Sequence, residues 1–388
     1  MTGAARAALA FGLAAASAGP VATGPAAPDV AAQGLSVRKD GVLLKDGRPF
    51  RAIGVNYFNA FYRHLKDPND TGYEEGFKAL AEAKIPFARI MGCGFWPVEQ
   101  KPYLDDKEEF FRRFDDVVKS AERHGIGLIP SLFWNVSTVP DLVGEPVGEW
   151  GNPKSRTHEH LRSYVKDVVT RYRDSPAIWG WEFGNEFNLG ASLPNASEHR
   201  PQVVPQLGTP ASRSAKDEWT VETIRTAFAA FAAEVRKHDP RRAISTGDAF
   251  PRESAWHNWK EKSWTKDAPE QFVEMLLGNA PAPVDLVSVH AYGGDVRRIR
   301  EAQAAAAKAG KPLFVGEFGA PGPPEKSEAE FRALLAAIEE AQVPLAALWV
   351  FDFSGQDRDW NVTPSNARAG QLRAVAEANG RIRSAAPK

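Results

Sequence analysis

Two glutamates stand four residues apart in WGWEFGNEFN, residues 179–188, a run whose Trp and Phe content otherwise reads as a buried strand. Asn185-Glu186 falls just past the apolar part of that run, whereas Glu182 falls inside it. Another carboxylate, Glu317, follows a second apolar run in PLFVGEFG, residues 312–319. Two carboxylates facing one site suit cleavage of a glycosidic bond: one, protonated, releases the leaving oxygen, and the other, ionised, attacks or stabilises the sugar carbon. At a separation of about 5–5.5 Å the expected outcome is retention through a covalent glycosyl intermediate. The acid of such a pair needs a raised pKa, which partial burial or a neighbouring carboxylate supplies.

The elements that must hold these groups can be read from the pattern of apolar residues. Strand-like runs fall at 51–56, 85–91, 126–133, 177–183, 242–246, 285–289, 312–316 and 345–350, each short and nearly continuous in apolar character. Between them lie amphipathic helical patterns, clearest at 106–125, 158–174 and 222–239, with a Gly or Pro at or soon after their ends. Eight buried strands alternating with helices predict a closed parallel (β/α)₈ barrel. A doubly wound sheet would normally bring a Gly-rich phosphate turn after its first strand, and GVNYFNAFY is not one. Before the barrel, Asp40-Gly41 and Asp46-Gly47 predict hairpin turns. Long segments at 134–154, 188–214 and 248–269 follow strands, which gathers them at the C-terminal face, where barrels build their sites. Asn185-Glu186 then ends the fourth strand and Glu317 follows the seventh, across the mouth from one another. Glu182 reads as a carboxylate of the barrel interior, satisfied by hydrogen bonds.

In this setting the chain resembles the clan A glycoside hydrolases, and among them family 5, the cellulase and mannanase family. The resemblance rests on Asn185-Glu186, Glu317, His290-Ala-Tyr292 after strand six, Arg89 near the end of strand two and Trp349 on strand eight, and it spans the chain from about residue 35. It implies Glu186 as acid/base, Glu317 as nucleophile and Asn185 as the amide that binds the sugar 2-hydroxyl. It further implies that Tyr292 and Arg89 orient the nucleophile, that His290 binds substrate or supports the acid/base, and that Trp349 stacks under the reactive sugar. Family members often carry His or Asn just after strand three; here the run is LFWNVS, so Trp134 or Asn135 is expected to serve, with Asn56 on strand one as a further supporting residue. The aromatic and Pro-rich insertions after strands three to five resemble the mannanase and mannosidase branch, which points to β-mannan ahead of β-glucan. Exo-acting hydrolysis, transglycosylation and a non-catalytic carbohydrate-binding barrel stay open as alternatives.

Composition is consistent with an oligosaccharide or polysaccharide partner. Lys plus Arg total 48 against 49 Asp plus Glu, so no basic excess exists to hold nucleic acid. Eleven Trp supply flat faces for stacking on sugar rings, and Trp96, Trp150, Trp256, Trp259, Trp264 and Trp360 lie in segments after strands. The single cysteine, Cys93, permits neither an intramolecular disulfide nor a Cys-based metal cluster. No metal or other cofactor is expected: His158 and His160 lie two apart at a helix start and point to different faces. Residues 1–18, with one Arg and an apolar run over 7–16, read as an export signal, and 19–34 as a Pro/Ala-rich linker. Residues 35–388 form the expected single domain of a secreted or periplasmic monomer with no membrane span.

Overall fold

The computed structural model describes residues 33–385. Strands β1 (Leu35–Val37), β2 (Leu43–Lys45) and β3 (Arg48–Pro49) form a small antiparallel sheet. Its turns use both Asp-Gly pairs: Gly41, Asp46 and Gly47 have φ of 81°, 51° and 79°, the left-handed values that tight hairpins demand. Gly34, assigned from sequence to the linker, is buried and already belongs to this sheet, exchanging hydrogen bonds with Asp46. The export signal and the rest of the linker lie outside the described residues.

The expected eight strands follow: β4 (Ala52–Asn56), β5 (Phe87–Met91), β6 (Gly127–Phe133), β7 (Gly180–Gly184), β8 (Ala243–Ser245), β9 (Val287–Tyr292), β10 (Leu313–Gly319) and β11 (Leu345–Leu348). They pair in parallel in the order β8-β7-β6-β5-β4-β11-β10-β9. The seam between β8 and β9 is bridged by the amides of Asp285 and Leu286, both donating to the Ile244 carbonyl at 3.0 and 3.1 Å. The Asp285 carboxylate accepts from the Ile244 amide in return. The barrel is therefore closed by hydrogen bonds just ahead of β9.

The helices form where sequence patterning predicts them. Lys107–His124 begins at Asp106, whose carboxylate accepts from the Glu109 amide, and ends at Gly125 in the left-handed conformation. Arg156–Tyr172 and Val221–His238 carry Ser155 and Thr220 as N-caps. The last helix, Ala369–Ala385, pins the first barrel strand: Asn379 both donates to and accepts from the Ile53 backbone.

Inside the barrel, side chains stack in layers. The lower layer is apolar and includes Ala52, Phe87, Ile129, Trp179, Ala243, Leu286, Phe314 and Leu345, joined from below by Leu35 and Leu43 of the small sheet. Trp179 is its largest member, meeting Phe50 edge-on at 5.5 Å and Lys45 at 4.6 Å. Gly127 gives it room: a Cβ there would lie 2.1 Å from the indole. Gly127→Ala is therefore expected to destabilise the fold by about 1–3 kcal/mol through overpacking. Urea unfolding of the variant checks this, and an unmoved midpoint would refute the account of Gly127.

Candidate active site

The layer above is polar, and its centre is Arg89. This guanidinium is fully buried and every one of its N–H directions has an acceptor. Nε donates to Glu182 at 2.6 Å, Nη1 to Asn56 at 3.0 Å and Glu317 at 2.7 Å, and Nη2 to Asn185 at 2.9 Å and the Gly184 carbonyl at 3.3 Å. Glu182 takes its second support from the Ser245 hydroxyl at 3.2 Å, which makes it the interior carboxylate expected from sequence. Asn56 is equally committed to the wall, its amide donating to the Gly316 and Ala347 carbonyls. It supports the site from beneath and has no face left for a ligand.

Glu317 lies inside β10, not after it, because that strand runs to Gly319. Its inward aim depends on a bulge. Leu313 and Val315 face the helices and Phe314 faces the interior, so strict alternation would send residue 317 outward. One extra residue, Gly316, enters the strand between the pairs Val315↔Val289 and Glu317↔His290, and the same shift appears against β11. The phase reverses: Phe318 packs outward on Phe331 at 6.2 Å and Glu317 turns inward. There Oε1 accepts from Arg89 and Oε2 from the Tyr292 hydroxyl. Burial, with the nearby Glu186, leaves the Glu317 carboxyl above its ordinary value, while Arg89 and the Tyr292 bond oppose the rise. Burial also lifts the Tyr292 hydroxyl well above its ordinary value, so it remains a donor.

Glu186 sits at a sharp turn beyond β7, with φ 55° and ψ 29°. A non-glycine residue accepts this left-handed conformation only at a cost of roughly 1–2 kcal/mol. The turn is held against the end of β8, where the Gly184 amide donates to Thr246 and the Glu186 amide to Gly247. Gly247 is indispensable here: its φ is 75°, and a Cβ would lie 2.0 Å from the Gly184 carbonyl. The Glu186 side chain keeps 30% of its surface exposed, yet burial of its carboxyl raises the pKa, with Arg89 opposing.

His290 lies between the two carboxylates, its Nδ1 at 2.9 Å from Glu186 and 3.4 Å from Glu317. Burial pushes the imidazole down to about 4, so it is neutral at pH 5–7. Nε2 has no partner among the described residues, so the single ring proton belongs on Nδ1, where it donates to Glu186. One oxygen of each glutamate and one His290 nitrogen all lie within 4.8 Å of one another. Among the described residues this trio is the group close enough to hold a metal ion, but both oxygens of Glu317 are already engaged by Arg89 and Tyr292.

Asn185 presents its carbonyl end to Arg89, which leaves the amide N–H₂ as the end that can donate to a ligand. Trp134 is only 5% exposed and lies under Arg89, with the guanidinium carbon 4.5 Å from its ring centre. It also packs nearly parallel to Phe58, which stacks on Trp349 at 5.3 Å and 11°. Trp349 is partly exposed at the edge of this wall, and its Nε1 donates to Gln356. Asn135 is held by its own loop, donating to the Phe95 carbonyl and accepting from Ser137, so sequence position after strand three does not bring it to the carboxylates. Of the loop tryptophans, Trp360 comes beside the site, edge-on to Tyr292 at 5.2 Å. Trp150 is 1% exposed and is packing, while Trp256 and Trp259 donate to Glu274 and Glu222. His158 and His160 serve the same end: His158 bonds the Trp150 carbonyl, and His160 packs on Tyr103 and Tyr164.

Sequence reasoning missed Phe58, Ser131, Ser245, Gly247 and the Gly316 bulge. Ser131, which donates to the Gly184 carbonyl at 2.8 Å, and Ser245 carry a signal that could have found them, since each is the one polar residue of an otherwise apolar strand. The long loops are also more ordered than their length suggests. Arg213 makes a bidentate pair with Asp141 at 2.6 and 2.7 Å and reaches Asp217 at 3.4 Å, tying the segments after β6 and β7 together.

A model of the cellulase family, glycosyl hydrolase family 5, matches residues 45–352. Among curated proteins, the chain is 33% identical over 168 residues to a probable mannan endo-1,4-beta-mannosidase F of Aspergillus flavus, covering 36% of this chain and 35% of that one. It is 29% identical over 203 residues to a probable mannan endo-1,4-beta-mannosidase C of Aspergillus terreus, covering 42% and 49%. The chain thus spans about a third to a half of the length of these relatives. The solved endo-1,4-beta-mannanase from Rhizomucor miehei superposes with a TM-score of 0.67 at 17% identity, over 90% of this chain and 99% of that one. The endo-beta-1,4-mannanase from Thermotoga petrophila gives 0.61 at 16% identity, over 86% and 78%. These likenesses establish the (β/α)₈ fold.

The Arg89 network makes a direct prediction. Arg89→Met leaves Glu182 and Glu317 buried without their cation, which is expected to cost about 3–5 kcal/mol of stability. Thermal and urea unfolding measure it; a loss below about 1 kcal/mol would mean that the guanidinium does not hold the layer together.

Proposed function

The chain belongs to glycosyl hydrolase family 5, and from that premise we propose that it is a retaining hydrolase of β-linked glycans, acting within β-1,4-mannan by double displacement. The observation that carries the reading is the pairing of Glu186 and Glu317 within 4.8 Å, one raised by burial and the other bound to a buried arginine. Inverting enzymes need about 6.5–9.5 Å between the carboxyl groups to admit a water; this spacing suits direct attack by a carboxylate.

The chemistry follows from the environments. Glu186, protonated, gives its proton to the glycosidic oxygen as the bond from that oxygen to the anomeric carbon breaks. Glu317, ionised, forms the new bond to the same carbon. Water then attacks the glycosyl ester, gives its proton to Glu186 and releases Glu317 as a carboxylate. The neutral imidazole of His290 donates to Oε1 of Glu186, which directs the acidic proton to Oε2. Arg89 and Tyr292 keep both Glu317 oxygens aimed while its charge is spent and regained. Asn185 is suited to donate to the sugar 2-hydroxyl, a bond that strengthens as the oxocarbenium ion develops. Trp349, backed by Phe58, offers an aromatic face for the reacting sugar.

Mannan is preferred over glucan or xylan because the curated relatives and several solved structures with this fold are named as mannan-degrading enzymes. Export is also proposed, on the apolar run over residues 7–16. No helix among the described residues is long and apolar enough to cross a membrane.

Reducing-sugar release from β-mannan, β-glucan and xylan tests the substrate, and proton NMR of the first product tests the stereochemistry. Release from mannan with the β-anomer appearing first is expected, and an α-anomer first would overturn the mechanism. Glu317→Ala should lower kcat by a factor on the order of 10⁴ or more while the protein stays folded. The pH profile of kcat/KM supplies an independent check. Activity should fall as pH rises through the raised pKa of Glu186, because the acid is lost, and fall again at low pH as Glu317 takes up a proton. Glu186→Gln should abolish the high-pH limb on aryl glycosides whose leaving groups need no proton; a limb that survives would assign it to another group.

A further inference from the structure

Two neighbouring helices of the outer coat, Pro269–Gly278 and Val296–Lys308, stand apart and leave a groove between them. With the segment that follows β8 they enclose about 790 Å³, a volume typical of a small-molecule site. Phe272, Val273 and Leu277 of the first helix line it and are only partly buried. Opposite them the second helix presents Ala304 and Ala305, side chains too short to fill the gap. The groove follows this helix from Arg298 to Lys308 and so runs for about 15 Å. Its form is a trough with an apolar floor.

The charges around it are matched, with one exception that water does not serve. Glu253 pairs with Lys266 at 3.2 Å, Glu301 with Arg297 at 2.9 Å and Asp267 with His257 at 2.8 Å. Arg298 bonds Asp295 at 3.1 Å and lies over the Phe250 ring at 4.4 Å. Lys308 is exposed to solvent at the far end. Arg252 is different: it is half-buried, and its one hydrogen bond among the described residues runs from Nε to the Leu189 carbonyl at 2.6 Å. Both Nη groups are left without an acceptor, and burial lowers the guanidinium pKa with no carboxylate to oppose the fall. A cation taken partly out of water without an anion is a standing cost. Its free Nη pair is the planar fork that a carboxylate accepts in two parallel hydrogen bonds.

We propose that this groove binds a long-chain carboxylate, its head on Arg252 and its hydrocarbon chain along Phe272, Val273 and Leu277. One negative charge on the ligand answers the one unmatched, half-buried cation of the wall. An unbranched chain suits a trough whose far wall is alanine, and its burial there removes apolar surface of both partners from water. None of the lining residues bonds to Glu186 or Glu317, so the site is distinct from the catalytic one and stands whichever glycan the chain cleaves.

Calorimetric titration of the full chain with sodium decanoate tests this, with 1-decanol as the uncharged control. Arg252→Gln and Ala304→Trp are the variants, each with its thermal midpoint recorded; Ala304 is exposed, so a large side chain there enters the trough and leaves the core alone. Wild type is expected to bind decanoate saturably at one site, at least tenfold more tightly than decanol. Arg252→Gln should weaken decanoate about tenfold and leave decanol unchanged, the scale of lost charge-assisted hydrogen bonds. Ala304→Trp should weaken both ligands tenfold or more. The inference is overturned by no saturable decanoate binding up to about 1 mM, by decanol binding as tightly as decanoate, or by full decanoate affinity in either folded variant. If Arg252→Gln fails to fold, Ala304→Trp and the decanol comparison decide.

Discussion

One buried cation organises this protein. Arg89 is inaccessible to solvent and is held between Glu182 and Glu317, at 2.6 and 2.7 Å. Stripping water from a guanidinium costs several kcal/mol, and only close, fully hydrogen-bonded carboxylates repay it. The repayment here has a functional form. To satisfy Arg89, the fold must bring Asn56, Glu182, Gly184, Asn185 and Glu317 from strands β4, β7 and β10 to within hydrogen-bonding distance of one planar group. The fork geometry of the guanidinium sets where each one lies. The same bonds that make burial tolerable therefore aim the nucleophile candidate and the amide beside the acid.

The surrounding site follows from unequal burial of two similar carboxylates. Glu317 is enclosed and tied at both oxygens, whereas Glu186 stands on a strained turn with part of its surface open. Their shared neighbour, His290, is kept neutral by its own burial and so adds a hydrogen bond without adding a charge. Among the described residues, Arg89 is thus the cation that touches Glu317. Its closeness opposes the rise that burial imposes on both carboxyls, and only at Glu317 is that pull joined by a direct guanidinium bond.

The apolar parts serve the same end. Trp179 and the small N-terminal sheet close the barrel from below, so the polar layer rests on a dry floor. Trp134 covers Arg89 from one side and continues through Phe58 to Trp349, joining the charged centre to the exposed aromatic edge in one packed wall. Around the mouth, Arg213 with Asp141 and Asp217 holds two long loops in a single arrangement. The rim is therefore built by buried ion pairs as much as by hydrophobic contact.

Much of this was legible in the chain itself. Eight short apolar runs separated by amphipathic helices predict the (β/α)₈ barrel, because strands buried on both faces are characteristic of parallel sheets under a coat of helices, and the first run lacks the Gly-rich turn of a doubly wound sheet. The positions of Asn185-Glu186 and Glu317 at the ends of the fourth and seventh runs place two carboxylates at one mouth, and the periodicity of the helices set their bounds to within a residue or two. Tertiary structure alone decided the rest. That Glu317 points inward depends on Gly316 slipping the register by one, a fact of pairing with β9 and β11 that no local pattern encodes. That Asn56 and Trp134 are committed to Arg89, that Asn135 is held by its own loop, and that Trp150 is packing while Trp360 reaches Tyr292, depend on which loops meet across the rim. Period and composition act between near neighbours in sequence and so determine elements. Aim, partner and pKa arise from contacts between residues far apart in the chain, and exist only once the barrel has closed around them.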